Sequence, residues 1–168
     1  MIFSLTRSLD VDLVFENRSY KLGEIIEVKV ELNARRDVMV RKGRVDLVYE
    51  VRWVAPDTDR HPIGRMLRSG PGGHVINSYS MRAPTRTLVE HKHSYVLGSA
   101  RFLEHAQLET HKNGSYNVRI QIHKDDPPYG FIKGAAREWS LVAVLDVVRA
   151  LDVKLGKDVK VTFHPTEG

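Results

Sequence analysis

The sequence contains no cysteine. That excludes a disulfide framework, a cysteine nucleophile, an iron–sulfur cluster and a thiolate zinc site. Long apolar runs are missing too, and no stretch approaches the ~18 residues that a membrane-spanning helix needs. The opening residues, MIFSLTRSLDVDLVF, are broken by Arg7, Asp10 and Asp12 with no small-residue cleavage site behind them, so no secretory signal is expected and a cytoplasmic location is. Charge of one sign is scarce: 26 basic against 21 acidic residues leave a formal charge of +5, a mild excess that serves solubility before any partner. Catalytic signatures are also absent. There is no G-x-S-x-G elbow, no phosphate-cradling glycine loop and no H-E-x-x-H, and Gly70-Pro71-Gly72-Gly73 is interrupted by proline. Asp125 and Asp126 are adjacent, so on an extended chain they point apart and suit a turn beside Pro127 and Pro128. Neither an enzyme nor a cofactor is expected.

What is present in abundance is period-two alternation. Leu9, Val11, Leu13 and Phe15 form one such row, and Ile26, Val28, Val30 and Leu32 the next. Val45, Leu47, Tyr49, Val51 and Trp53 follow, then Tyr116, Val118, Ile120 and Ile122. Trp139, Leu141, Ala143, Leu145 and Val147 form the fifth row, and Val159, Val161 and Phe163 the last. Polar residues fill most of the alternate positions, as strands with one face on a core and one in water require. With 168 residues, 42% of them hydrophobic, the chain suits a single domain spanning 1–168. The pattern predicts an all-β fold, an immunoglobulin-like antiparallel β-sandwich.

Turns are expected at Tyr20–Glu24, where Gly23 can take positive φ, at Asn113-Gly114 as a hairpin, at 125–130, and at 154–158 before the last strand. Residues 101–111 and Leu145–Leu151 carry some helical spacing but are read as strand-like. Residues 55–86 are the least regular, with a long irregular loop at about 55–73 and a short strand around Val75–Met81.

Tyr20-Lys21-Leu22-Gly23-Glu24-Ile25-Ile26, the strand Val45–Val51, Gly114-Ser115-Tyr116 leading to Pro127-Pro128, and the aromatic-led strand from Trp139 follow an order that resembles arrestin-like proteins. This group includes arrestins, retromer cargo subunits and bacterial sporulation-control proteins. The resemblance spans residues 9–163 apart from 55–86. It departs at Tyr129, where the family usually has serine, and in offering room for one sandwich where family members carry two. It implies one arrestin-type sandwich with an adaptor or scaffold role, no cofactor, protein partners, and a homodimer as one source of the second sandwich.

Candidate sites are few. Arg60, Arg65, Arg68, Arg82 and Arg86 gather in or beside the irregular segment, where arginine forks would suit a partner's phosphates, carboxylates or lipid headgroups. A solvated polar loop accounts for them as well. A second basic group, Arg35, Arg36, Arg41, Lys42 and Arg44, is interrupted by acids, and no RNA-binding aromatic signature accompanies either group, so nucleic acid is not an expected partner and membrane contact would be peripheral. His91 and His93 share a strand face with Val89, Tyr95 and Leu97, and could hold zinc or copper if His105, His111 or Glu90 supplied a third ligand. A metal-dependent hydrolase is the alternative built on that pair, while ordinary surface histidines are the simpler account.

Overall fold

The computed structural model describes residues 8–56 and 87–164. Eight strands run in the order β1 (Leu9–Val14), β2 (Ser19–Lys21), β3 (Ile25–Ala34), β4 (Val38–Pro56), β5 (Leu88–Leu108), β6 (Asn113–Gln121), β7 (Ala136–Val147) and β8 (Val153–Thr162). They form two sheets, β1-β3-β6 and β2-β8-β7-β4-β5. Every pairing is antiparallel except β2 with β8, where Ser19, Tyr20 and Lys21 run parallel to Lys160, Val161 and Thr162.

The predicted rows become the core. Ile26, Val28, Val30 and Leu32 of β3 are buried at every second position, and Val45, Leu47, Tyr49 and Val51 of β4 meet them from the other sheet with Leu141, Ala143 and Leu145 of β7. This is the sandwich that the alternation predicts. No helix of the described residues is long and apolar enough to cross a membrane.

The Tyr20–Glu24 turn forms as expected, with Gly23 at φ 87°. The Glu24 carboxylate accepts from the Lys21 N–H at 2.6 Å and pairs with Arg18, while the buried Tyr20 donates its hydroxyl to the Glu16 carbonyl. Those contacts give the Tyr-x-x-Gly-Glu spacing its physical meaning.

Two expected turns move. Asn113 and Gly114 lie inside β6, opposite Asn33 and Leu32. The chain instead crosses between sheets at 109–112, where His111 takes φ 60° and the Asp37 carboxylate accepts from the Thr110 N–H and hydroxyl. Likewise 154–158 is continuous strand paired with β7, and the reversal falls just after Val147, with Arg149 at φ 57°. Residues 101–108 are strand, whereas Leu145–Leu151 is strand only to Val147. Ala55 and Pro56 end β4 opposite Val89 and Leu88. The remainder of the expected loop, and the expected strand at 75–81, lie outside the described residues.

Candidate interaction surface

Strands β4 and β5 form an antiparallel ribbon that reaches past the neighbouring strands. Pairing with β7 stops at Arg52, whereas pairing with β5 continues to Pro56 opposite Leu88. On the core-side face of this ribbon, cross-strand register sets Tyr49 against Tyr95, Val51 against His93 and Trp53 against His91. Cross-strand neighbours on one face lie about 5 Å apart, so aromatic rings placed there must touch. Trp53 stacks on both imidazoles, His91 and His93, with centroids 5.3 Å away in each case.

Tyr129 closes the cluster from the loop after β6. Its ring lies 4.8 Å from Trp53 and 5.0 Å from His93. Its backbone sits at φ 57°, a conformation that a tyrosine rarely takes and that surrounding contacts must hold. Arg137 supplies them, donating through one terminal nitrogen to the Gly130 carbonyl at 2.8 Å and the Ile132 carbonyl at 2.7 Å. Where the resemblance leads one to expect serine, the chain thus places a ring that covers the ribbon.

Beneath the clamp, Tyr49 and Trp139 pack with centroids 4.7 Å apart. Tyr49 Oη, Trp139 Nε1 and Arg137 Nε are buried without a hydrogen-bond partner among the described residues. Burial pushes the Tyr49 phenol above its ordinary pKa. The Arg137 guanidinium lies near enough to oppose that rise, although the pair lacks hydrogen-bond geometry. Burial likewise raises the Tyr95 phenol, aided by its Tyr129 neighbour.

The histidine pair lands where the strand reading puts it, on one half-buried face with Val89, Tyr95 and Leu97. The additional metal ligands do not join it. Glu90 projects to the opposite face, and His105 is about 40 Å further along the same strand. His111 follows in the next turn. Among the described residues no group of three His, Asp or Glu is arranged to hold an ion. Arg60, Arg65, Arg68, Arg82 and Arg86 all lie outside the described residues. In the other basic group, Arg35 pairs with Asp10 at 2.8 Å, Arg44 with Asp46 at 3.0 Å and Arg41 with Asp146 at 4.0 Å, which offsets much of its charge.

The sheet edges differ from one another. β2 is three residues long, too short to template a strand. On β1, Ser8 O accepts from Arg35 N, so the alternation of an antiparallel pair turns the main-chain groups of Leu9, Val11 and Leu13 outward. Leu13 is capped at both groups. Its N–H donates to the Asp12 carboxylate at 2.9 Å and its carbonyl accepts from Lys157 Nζ at 2.8 Å. The Lys157 hydrogen bond holds the Asp12 carboxyl below its ordinary pKa. The edge of β6 borders a groove of about 650 Å³ shared with β5, closed in where Gly98 approaches Ile120 and the Gln121 carbonyl.

The edge of β5 differs along its length. Register shifts fall between Gly43 and Arg44 and between Leu47 and Val48, opposite residues 97–103, and His105 takes φ 45°. From Leu88 to Val96 the ladder with β4 is unbroken. That is about 30 Å of regular edge. Its outer face carries Leu88, Val96 and, on β4, Val54, all exposed by more than 60%.

No family model matches the sequence, and no curated protein matches it. Among solved structures, the chain is similar to the sporulation control protein Spo0M of Bacillus subtilis, with a TM-score of 0.62 at 16% identity over 94% of this chain. It spans about half of that protein, 51% of its length. The strand order, the Tyr20–Glu24 turn and this likeness agree on one statement: the chain has the arrestin-like β-sandwich fold.

Proposed function

We propose that the chain is a non-catalytic, adaptor-type binding module of the cytoplasm that takes up an extended segment of a protein partner along the Leu88–Val96 edge of β5. One observation carries this reading. That stretch combines unbroken register with exposed apolar side chains, whereas β1 is capped and β2 is short. A strand added there gains main-chain hydrogen bonds from the edge and specificity from side-chain contacts on the two faces. One face offers the Trp53–His91–His93 stack and the other offers Leu88, Val96 and Val54.

Affinity capture with mass spectrometry tests it, comparing the wild type with the double variant Leu88→Lys, Val96→Lys. Both side chains are exposed, so the fold should persist while charge displaces the apolar contacts. Loss of the captured protein is the expected result, and unchanged recovery would sink the edge reading. A third arm replaces residues 57–86 by a short Asn-Gly turn, feasible because Pro56 and Leu88 are cross-strand partners. If that arm alone loses the partner, the arginine-bearing segment is the docking site instead.

A further inference from the structure

We infer that the strand this edge takes up is the same strand of a second copy, so that two chains join β5 to β5 about a twofold axis through His91. The inference rests on the edge reading above and adds the identity and register of the occupant. An isologous pair is antiparallel by symmetry, and each residue on one side of the axis meets its mirror position in the partner. Side chains stay on their own faces only when the axis passes through a residue position, because a one-residue slip inverts every side chain.

Three such axes fall near the middle of the regular stretch, and charge separates them. Centred on Lys92, the pairing sets two ammonium groups against each other. Centred on His93, it sets Lys92 against Ser94 and Glu90 against Val96, with no charge matched. Centred on His91, it sets Glu90 of each copy against Lys92 of the other, giving two cross-strand ion pairs on the solvent face, where opposite charges stabilise a ladder. The sequence Glu90-His91-Lys92 is self-complementary in that register alone. Glu90 is exposed and pairs with no cation among the described residues, while Lys92 holds only a 3.5 Å contact to Glu50 within its own chain. On the other face the same register brings Val89 against His93 of the partner and His91 against its own mate, joining the two aromatic clusters. The product is one continuous sheet running through both sandwiches, with both β5 edges covered.

Sedimentation equilibrium across a concentration series reaching the millimolar range, at pH 8 and low salt, tests the inference. Self-association is expected, and it should weaken as salt screens the ion pairs. Glu90→Lys and Lys92→Glu each set like charges opposite at both pairs, and each should raise the dissociation constant about tenfold. The double variant carrying both substitutions restores opposite charges and should return to within about threefold of wild type. Circular dichroism confirms that each variant remains folded, as exposed side chains permit. A chain that stays monomeric throughout overturns the second copy as occupant, and partner capture by the edge is then judged by its own experiment. A dimer indifferent to both single reversals, or one that the double reversal fails to restore, overturns the His91 register.

Discussion

Among the described residues, strands β1 and β5 each form the border of a sheet, and the chain treats the two edges differently. On β1, an aspartate folds back on its own strand and a lysine arrives from β8, so Leu13 has both groups occupied. On β5, the half beyond Gly98 is bent by register shifts and faced by β6, whereas Leu88–Val96 is left straight with apolar side chains beside it. Capping and bending are the usual protections of an edge against unwanted pairing. Capping is present at Leu13 of β1, whereas among the described residues no side chain caps Leu88–Val96 and no register shift interrupts it, and the proposed docking follows from that contrast.

The largest expected effect comes from removing what holds the β5 aromatic face in order. Arg137→Met deletes the donors to Gly130 and Ile132, and should cost about 3 kcal/mol in urea unfolding. It should also free Tyr129 from its φ 57° backbone and shift the indole fluorescence of Trp53. A loss near zero would mean that the Tyr129 cover stands without its clamp. Next in size is Gly98→Val. Even a Cβ at that position would lie 3.1 Å from Ile120 Cγ2, so the larger residue must push β6 away from β5, at about 2 kcal/mol of overpacking. Increased hydrogen exchange confined to β6 would confirm that this glycine closes the covered half of the edge.

Lys157→Met probes β1 and should cost no more than about 0.5 kcal/mol, because Lys157 and Asp12 are both well exposed. Its clearer sign is new self-association through the uncapped edge, which the Glu90/Lys92 reversals on β5 would not suppress. Protonating Asp12 does the same work more gently. Its folded-state pKa is depressed, so its contribution is present above the ordinary carboxylate value of 3.8 and is lost as pH falls through the lower folded value. An NMR titration of the Leu13 amide should therefore show its transition below pH 3.8, and one at or above that value would mean that the lysine cap is not formed. For Tyr49→Phe the sign of the change is more telling than its size. The hydroxyl it removes is buried without a hydrogen-bond partner, so stability should change by less than about 1 kcal/mol and should not fall as for a lost hydrogen bond.

Most of the fold was legible because alternation is a direct record of burial. The strictly alternating β3 was read almost whole. β4 was read only from Val45, since its ladder is irregular around Val40–Arg44, where the period of two fails. Asn113-Gly114 misled because a glycine permits a turn without requiring one, and the positive φ went to His111 instead. The parallel β2–β8 pair left no local mark, as its partners are remote in sequence. At the surface, the His91–His93 face was visible from spacing. Tyr129 was visible only as a departure from the serine that the resemblance suggests, because its stacking on Trp53 depends on how a loop folds back. The difference between the two edges could not be read at all, since Lys157 meets Leu13 only in three dimensions.

That lysine also imposes an order in time. It lies 144 positions after the carbonyl it caps, and the Thr162 hydroxyl reaches the Tyr20 carbonyl from 142 positions away. Contacts of such separation form late, because the intervening chain must be organised before they are gained. On the ribosome, β1 therefore spends most of its synthesis with an open edge, and it is sealed only when β8 emerges. A chain stalled before Lys157 would leave open the β1 edge that the finished protein caps at Leu13, so the arrival of β8 is the moment at which that edge is closed.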